Sequence, residues 1–488
     1  MTTYFAVYFG AAFLALLATP VVIGLARRVD AVDRPGVRTV HERPIPRMGG
    51  VAIFIAAMSL IVAVLFLDNA VGERFRESRP QLLTLLISAT FIFLVGLIDD
   101  LRGLPARFKF GAEGAAAGAL CLAGVRITEI GIPPSLIWPL GGWGCLLTLL
   151  WMVGVTNAVN LSDGLDGLAA GISAIACGVI AIFAVHNGQV MMAVFMLALA
   201  GSLSGFLVFN FNPAKVFMGD CGSLFLGFTI AATSVMCVAK SAALVGLALP
   251  ALALGVPIFD TLFSMLRRFL ERRSLFAPDR SHFHHRLLNL GLSQRRAVLS
   301  IYVITLIVVA LGLFMMIRED LGVLIVFACL LLLLLLVFRC VGAVHLRETL
   351  TRLRDKHALT RCCKAEQRAF ESLQLQFRQV HDAGQWWQAV CEAARSMDFA
   401  WLSLEHKYAD GRVTTETWRA AAQPDNMSRL VMMTVPLPAG SDGARRQCEI
   451  AIWANGSLEA ASRRATLFGR LLDESAVTVS GRPSASAG

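Results

Sequence analysis

Charge is what this chain has least of. Only 16% of its 488 residues are Asp, Glu, Lys or Arg, against about 25% in an ordinary soluble domain. The shortage falls on the first 341 residues, so a membrane region is expected ahead of something more conventional. The cysteines form no CxxC pair and no His/Cys spacing of a zinc site, which argues against a disulfide framework. Cys121, Cys177, Cys237 and Cys329 sit inside apolar runs, where cysteine acts as a small hydrophobe. The N-terminus lacks the basic stretch of a secretory signal: MTTYFA precedes the first apolar run, and Arg27 and Arg28 follow it. No internal repeat and no kinase or cyclase motif is evident. The first absence counts against a lipid or ion transporter, which would also place acids near the centres of its spans.

What the chain has instead is hydrophobic length: 56% of its residues are apolar. A span needs about 20 such residues. Spans are expected at 4–26, 48–68, 81–98, 107–125, 144–160, 168–186, 190–211, 221–239, 242–265, 298–317 and 321–341. The net charge of +10 could suggest nucleic acid, but the basic residues lie between apolar runs, where they orient spans. Segment 27–47 carries Arg27, Arg28, Arg34, Arg38, Arg43 and Arg47, and segment 266–297 is equally arginine-rich. Both are expected on the cytoplasmic side, with the N-terminus outside. The acids at 99–100, 160–166 and 212–220 then fall on the cytoplasmic side too. The Pro/Gly-broken segment 126–143 reads as an external hairpin.

The expected fold is an all-α polytopic membrane protein of about 11 transmembrane helices with a small C-terminal cytosolic α/β domain. The boundaries read 1–341 for the membrane domain, 342–384 for a helical linker, 385–475 for the α/β domain and 476–488 for a disordered tail. Strands are expected at 399–407, 412–419, 429–437 and 447–454, with a turn at Asp410-Gly411.

Five polar clusters interrupt this apolar background. Asp99 and Asp100 end the run FIFLVGLI, where ionisable groups are costly unless solvated or paired. Asp163 and Asp166 share a face at i, i+3, near Asn157 and Asn160. Two carboxylates plus an amide suit a hard cation such as Mg²⁺, which takes oxygen ligands and shares them with substrate phosphates. An Asx-rich turn is the bland reading. Lys215 and Asp220 lie in a stretch punctuated by Pro213, Gly219 and Gly222, where a carboxylate could sit beside backbone donors for phosphate. Asp260 stands inside an apolar run, two turns before Arg267, and a structural pair is as good a reading as a functional one. Arg280, His282, His284 and His285 crowd one loop. Without a further ligand at a usual spacing this is a poor zinc site, whereas Arg forks and His donors suit a diphosphate.

These clusters, in order, resemble the polyprenyl-phosphate N-acetylhexosamine-1-phosphate transferases. The motifs are DRPGVRTVHERPIPRMGG (33–50), DD (99–100), NAVNLSDGLDGLAAG (157–171), NPAKVFMGDCGSLFLG (212–227), PIFDT (257–261) and DRSHFHH (279–285). The likeness covers about residues 1–341. The DRxHxHH form is similar to that of bacterial initiators of enterobacterial antigen, O-antigen and teichoic acid. The peptidoglycan branch, with its UDP-muramoyl-pentapeptide donor, has a different histidine motif. The C-terminal region resembles at most a degenerate GAF-type fold.

The resemblance implies transfer of N-acetylhexosamine 1-phosphate, GlcNAc 1-phosphate first among the candidates, from a UDP-sugar to undecaprenyl phosphate. UMP is released, and Mg²⁺ or Mn²⁺ is required. By motif position it implies Asp220 and Asn160 as metal ligands. Lys109, Arg280, His282, His284 and His285 would hold phosphates and sugar, with Asn157, Lys215 and Asp260 as further substrate contacts. Asp163 and Asp166 would line the nucleotide pocket, and Asp99 or Asp100 would position or deprotonate the lipid phosphate. UDP-GalNAc, a 6-deoxy-HexNAc donor and UDP-MurNAc-pentapeptide stay open as alternative donors. A homodimer and an unidentified partner for the C-terminal domain complete the expectations.

Overall fold

The computed structural model describes residues 2–34, 44–77, 79–132, 136–238, 243–270, 283–316, 329, 332–333, 335–336, 367–420, 430–437, 445–454 and 458–480. The chain divides into two compact units, Met1–Thr349 and Leu350–Gly488.

The first unit is a helical bundle. Its long helices are α1 (Thr2–Arg28), α2 (Gly49–Leu65), α4 (Arg79–Arg102), α5 (Ala106–Leu122), α6 (Trp143–Ser162), α7 (Leu168–His186), α8 (Val190–Asn210), α9 (Gly219–Val238), α10 (Ala243–Ala253), α11 (Gly255–Leu270) and α13 (Gln294–Met316). Short helices α3 (Ala70–Glu77) and α12 (Phe283–Asn289) connect them. The hairpin expected at 126–143 is present: β3 (Glu129–Ile132) pairs antiparallel with β4 (Leu136–Pro139). A second small ladder joins β1 (Val32–Asp33) to β2 (Ile45–Pro46).

Among the described residues seven helices are long and apolar enough to cross a membrane, or nine if each bent pair is one span, rather than eleven. Three causes account for the difference. α5 has 17 residues, roughly 26 Å, short of the ~30 Å hydrocarbon layer. The expected spans at 48–68 and 242–265 are bent rather than straight. α2 turns through 98° into α3, and Leu247–Ala253 through 77° into Gly255–Phe269. In the second case Pro250 and Pro257 flank the break, each lacking the N–H that would continue the helix ladder. The run 321–341 falls largely outside the described residues.

Lipid-facing and core-facing positions separate along α1. Phe5, Phe9, Phe13, Leu17 and Val21 form an exposed stripe at i, i+4, while the smaller Val7, Ala11 and Ala15 are buried. Large side chains outside and small ones inside suit a helix solvated by acyl chains, since close backbone approach drives packing there. α9 is the centre of the bundle, with 94% of its apolar window buried. Its seat depends on glycine. A Cβ on Gly50 would lie 2.2 Å from the Gly222 nitrogen, and one on Gly96 would lie 2.5 Å from the Asp220 carbonyl.

The second unit is a four-stranded antiparallel sheet in the order β6-β5-β8-β7, from β5 (Phe399–Lys407), β6 (Val413–Arg419), β7 (Leu430–Leu437) and β8 (Arg445–Trp453). All four strands fall where the alternation placed them, and Gly411 takes the left-handed turn conformation at φ 85°. Helices Ala383–Ser396 and Leu458–Ser480 pack on the sheet. The first is capped by Asp382, whose carboxylate accepts from the Gln385 N–H at 2.7 Å. The expected linker is part of this core: Phe370, Leu373 and Phe377 are buried with Phe399, Ile450 and Phe468. The last helix also runs past residue 475, to Ser480.

Candidate active site

Four chain segments bring their polar groups together at one end of the bundle. α4 ends there because Gly103 takes φ 70° and Pro105 then starts α5. That places Asp99 and Asp100 in its last turn. Asp100 accepts from the first backbone donors of α9, the Asp220 N–H at 3.0 Å and the Cys221 N–H at 2.9 Å. Helix N-termini carry such orphan donors, and a carboxylate satisfies them while complementing the helix dipole. Gly219 makes the approach possible: a Cβ there would lie 2.6 Å from the Asp100 Oδ2 and 2.2 Å from the Arg47 carbonyl. Arg47 in turn donates through Nε to the Asp100 carbonyl at 3.1 Å.

Lys109 sits one element away and joins two acids. Its Nζ lies 2.6 Å from Asp99 Oδ2 and 2.8 Å from Asp220 Oδ2. The other oxygen of Asp220 accepts from Asn160 Nδ2 at 2.9 Å, and that amide also donates to Ser223 Oγ at 2.8 Å. Asp166 has a different task. Its Oδ2 accepts from Asn212 Nδ2 at 2.9 Å and from the Ala214 N–H at 3.0 Å, so it pins the 212–214 loop. Asp163 accepts from the Gly219 backbone. Burial, then the neighbouring Asp220, Asp100 and Asp166 carboxylates, push its carboxyl up to about 7.

Asp99, Asp100, Asp163, Asp166 and Asp220 line one cavity of about 1310 Å³. Pockets for a single small molecule run to ~1,000 Å³, so the volume accommodates more than one reactant. Arg27, Arg47 and Lys215 lie on the same wall system. Five carboxylates line this cavity with Lys109 the cation bonded to two of them, and oxygen donors suit a hard divalent ion as a further one. No three acids or histidines among the described residues form a complete cage. A Mg²⁺-type site asks less of the protein, one or two carboxylates with the remaining positions left to water and phosphate. Asp220 and Asp163, close enough to act on each other, could hold such an ion. Asn160 turns its NH₂ toward Asp220 and would have to present its oxygen instead.

The other expected residues divide. Lys215 is exposed and lines the cavity. Asn157 lies one helical turn deeper and donates to Glu113. Asp260 accepts from the Phe283 N–H at 2.8 Å, tying α11 to the start of α12. His284 and His285 fall in α12, while Arg280 and His282 lie outside the described residues. Sequence reasoning missed Glu113, which is 1% exposed with one oxygen unpartnered among the described residues. An acid inside the apolar run GAEGAAAGAL was the available signal. Arg47 and Ser223 lay within the motifs without a site role given to them, and Gln294 and Tyr302 carried no signal.

A helical bundle with several apolar spans and an acid-lined cavity at one end defines a polytopic membrane protein. The family model described as glycosyl transferase family 4 matches residues 82–238. A Bacillus subtilis (strain 168) protein named "Probable undecaprenyl-phosphate N-acetylglucosaminyl 1-phosphate transferase" is 42% identical over 290 residues, 59% of this chain and 78% of that one. The decaprenyl-phosphate N-acetylglucosaminephosphotransferase of Mycobacterium tuberculosis (strain ATCC 25618 / H37Rv) is 38% identical over 325 residues, 60% of this chain and 77% of its own. A phospho-N-acetylmuramoyl-pentapeptide-transferase of Moorella thermoacetica (strain ATCC 39073 / JCM 9320) is 36% identical over 326 residues, 63% and 96% of the two chains. The chain belongs to glycosyl transferase family 4.

Proposed function

We propose that the protein transfers N-acetylglucosamine 1-phosphate from UDP-N-acetylglucosamine to undecaprenyl phosphate, releasing UMP and starting a lipid-linked cell-envelope polysaccharide. The observation that carries this is the shared cavity: acids from α4, the α6–α7 loop and α9 meet there around Lys109 and Asp220. The relatives named for this transfer support the reading.

The chemistry asks for charge control more than for a strong base. A phosphate's second pKa is about 6, so the lipid phosphate is largely ionised near pH 7. Two anions must then be brought together, and charge developing on the leaving phosphate must be stabilised. Mg²⁺ or Mn²⁺ held by Asp220 and Asp163, with Asn160 turned to present its oxygen, would supply that neutralisation. Lys109 keeps Asp99 and Asp220 in register and adds a positive charge beside the reacting groups. Asp100 is taken up by the α9 backbone, so positioning the lipid phosphate falls to Asp99. Arg280, His282, His284 and His285 are assigned to the donor's phosphates and sugar. The cavity faces the cytoplasm of a bacterial inner membrane in this reading, as the arginine-rich segments orient it. Residues 342–488 form a regulatory or partner-binding appendage.

The test is UMP release by the purified full chain from undecaprenyl phosphate and a panel of UDP-sugars, with and without Mg²⁺. Release with UDP-N-acetylglucosamine above UDP-N-acetylgalactosamine, a 6-deoxy donor and the muramoyl-pentapeptide donor is expected. No release with any donor would refute the enzyme reading.

A further inference from the structure

α13 contributes no acid to the cavity, yet it holds the acidic α6–α7 loop and the 212–214 loop packed beside it. The Tyr302 hydroxyl donates to the Gly167 carbonyl. Gly167 is the left-handed residue, φ 79°, at which the acidic α6–α7 loop turns into α7. One turn later Gly171 leaves the phenol its space: a Cβ there would lie 1.9 Å from the Tyr302 oxygen. Two turns earlier on α13, Gln294 lines the cavity, and its Oε1 accepts from Asn212 Nδ2 at 3.0 Å. The same amide group donates to Asp166, so α13, the 212–214 loop and the acidic loop form one hydrogen-bonded unit. Arg295 lies over the Phe211 ring at 5.6 Å, and that ring would stand 3.1 Å from a Cβ on Gly167.

A five-residue loop between two helices, bearing two mutually repelling carboxylates, needs external restraint to present either one in a fixed direction. Asp166 is restrained through Asn212 and Ala214. At the far end of the loop the Leu165 and Gly167 carbonyls accept from Leu168 and Gly171 within the start of α7, and the Tyr302 hydroxyl supplies the side-chain tie from another helix. We infer that Tyr302 and Gln294 are positioning residues that fix the Asp163–Gly167 loop for the nucleotide-sugar end of the cavity. Neither residue needs to touch the reacting phosphate. This rests on the function proposed above, with the acidic α6–α7 loop lining the nucleotide pocket as the family resemblance implies.

The experiment compares the full-length wild type with Tyr302→Phe and Gln294→Leu. Steady-state kinetics are measured separately for the UDP-sugar and for undecaprenyl phosphate, and amide hydrogen exchange is followed in both variants. Tyr302→Phe keeps the ring in its glycine notch and removes only the hydroxyl, so folding is preserved. The expected result is a donor KM raised about tenfold with kcat and the acceptor KM within about twofold, the pattern of lost preorganised binding. Amides of 163–171 should exchange faster while those of α4 and α5 stay unchanged. Gln294→Leu should give the same split with a smaller donor effect. An unchanged donor KM, equal increases for donor and acceptor, or unaltered exchange at 163–171 would overturn the inference. A wild type that releases no UMP would instead refute the function proposed above, while the exchange measurement would still judge the restraint.

Discussion

Two acidic pairs border the cavity, and each divides its labour in the same way. In Asp99-Asp100 the second acid is consumed by the fold, both oxygens capping α9. In the Asp163/Asp166 pair the second acid again holds backbone, at the 212–214 loop. The first acid of each pair keeps one side for charge: Asp99 meets Lys109 through Oδ2 while its Oδ1 accepts from the Leu104 N–H, and Asp163 lines the cavity while accepting from the Gly219 backbone. Motif-level reasoning treats the members of a pair alike, and the hydrogen bonds separate them. The pairs differ in compensation. Lys109 stands beside Asp99, whereas the charged groups acting on Asp163 are other carboxylates, offset only by a backbone hydrogen bond from Gly219.

The strongest way to break this comparison is to remove the group both pairs converge on. Asp220→Ala should lower turnover by roughly 10²–10³-fold, the scale of losing one preorganised charge-stabilising group, with the protein still inserted and folded. Wild-type UMP release from this variant would remove Asp220 from the site.

The division within the first pair is sharpened by Asp99→Asn against Asp100→Asn. An amide at 100 accepts one backbone hydrogen bond and turns an NH₂ toward the other donor, a cost of about 1–3 kcal/mol for the buried group left unsatisfied. Asp100→Asn should therefore lower the melting midpoint clearly. Asp99→Asn should leave the midpoint near wild type and lower turnover, because Lys109 loses one anchor. The reverse order in thermal melts would cancel the distinction between fold-building and charge-bearing acids.

The smallest expected effect concerns pH. Asp163 has a folded value of about 7 against the ordinary carboxylate value of 3.8. Between those values the folded chain binds more protons than the unfolded one, so stability is greatest below the lower value and declines as pH rises toward the upper. Melts in chelator should show wild-type stability falling from about pH 5 to about pH 7.5. Asp163→Asn should flatten that slope, and added Mg²⁺ should oppose it. A slope identical in wild type and variant would show that the Asp163 carboxyl is not the group responsible.

Much of the molecule could be read from residue order. Helix positions followed from apolar run length, and α7 occupies the expected 168–186. The four strands of the C-terminal unit followed from alternation, because period-two burial is a local property. Bends were harder. Hydropathy reports how much apolar length exists and not its direction, so the 98° and 77° turns were invisible. The role of 367–378 was missed because an amphipathic face does not say which surface it will cover. Glu113 was overlooked although its surroundings flagged it, and Tyr302 was unreadable because an aromatic in an apolar helix is ordinary.

The sequence by itself determined that the protein lives in a membrane, that its acids stand at the ends of apolar runs, and which family's motifs they form. Only the tertiary structure decided that Asp100 gives both oxygens to the α9 backbone and Asp166 ties the 212–214 loop, while Asp99 meets Lys109. Asp100 meets α9 across 120 residues of chain, and Tyr302 meets Gly167 across 135. Spacing along the chain carries no information about such contacts. They arise where glycines let two backbones approach and orphaned helix donors must find a partner.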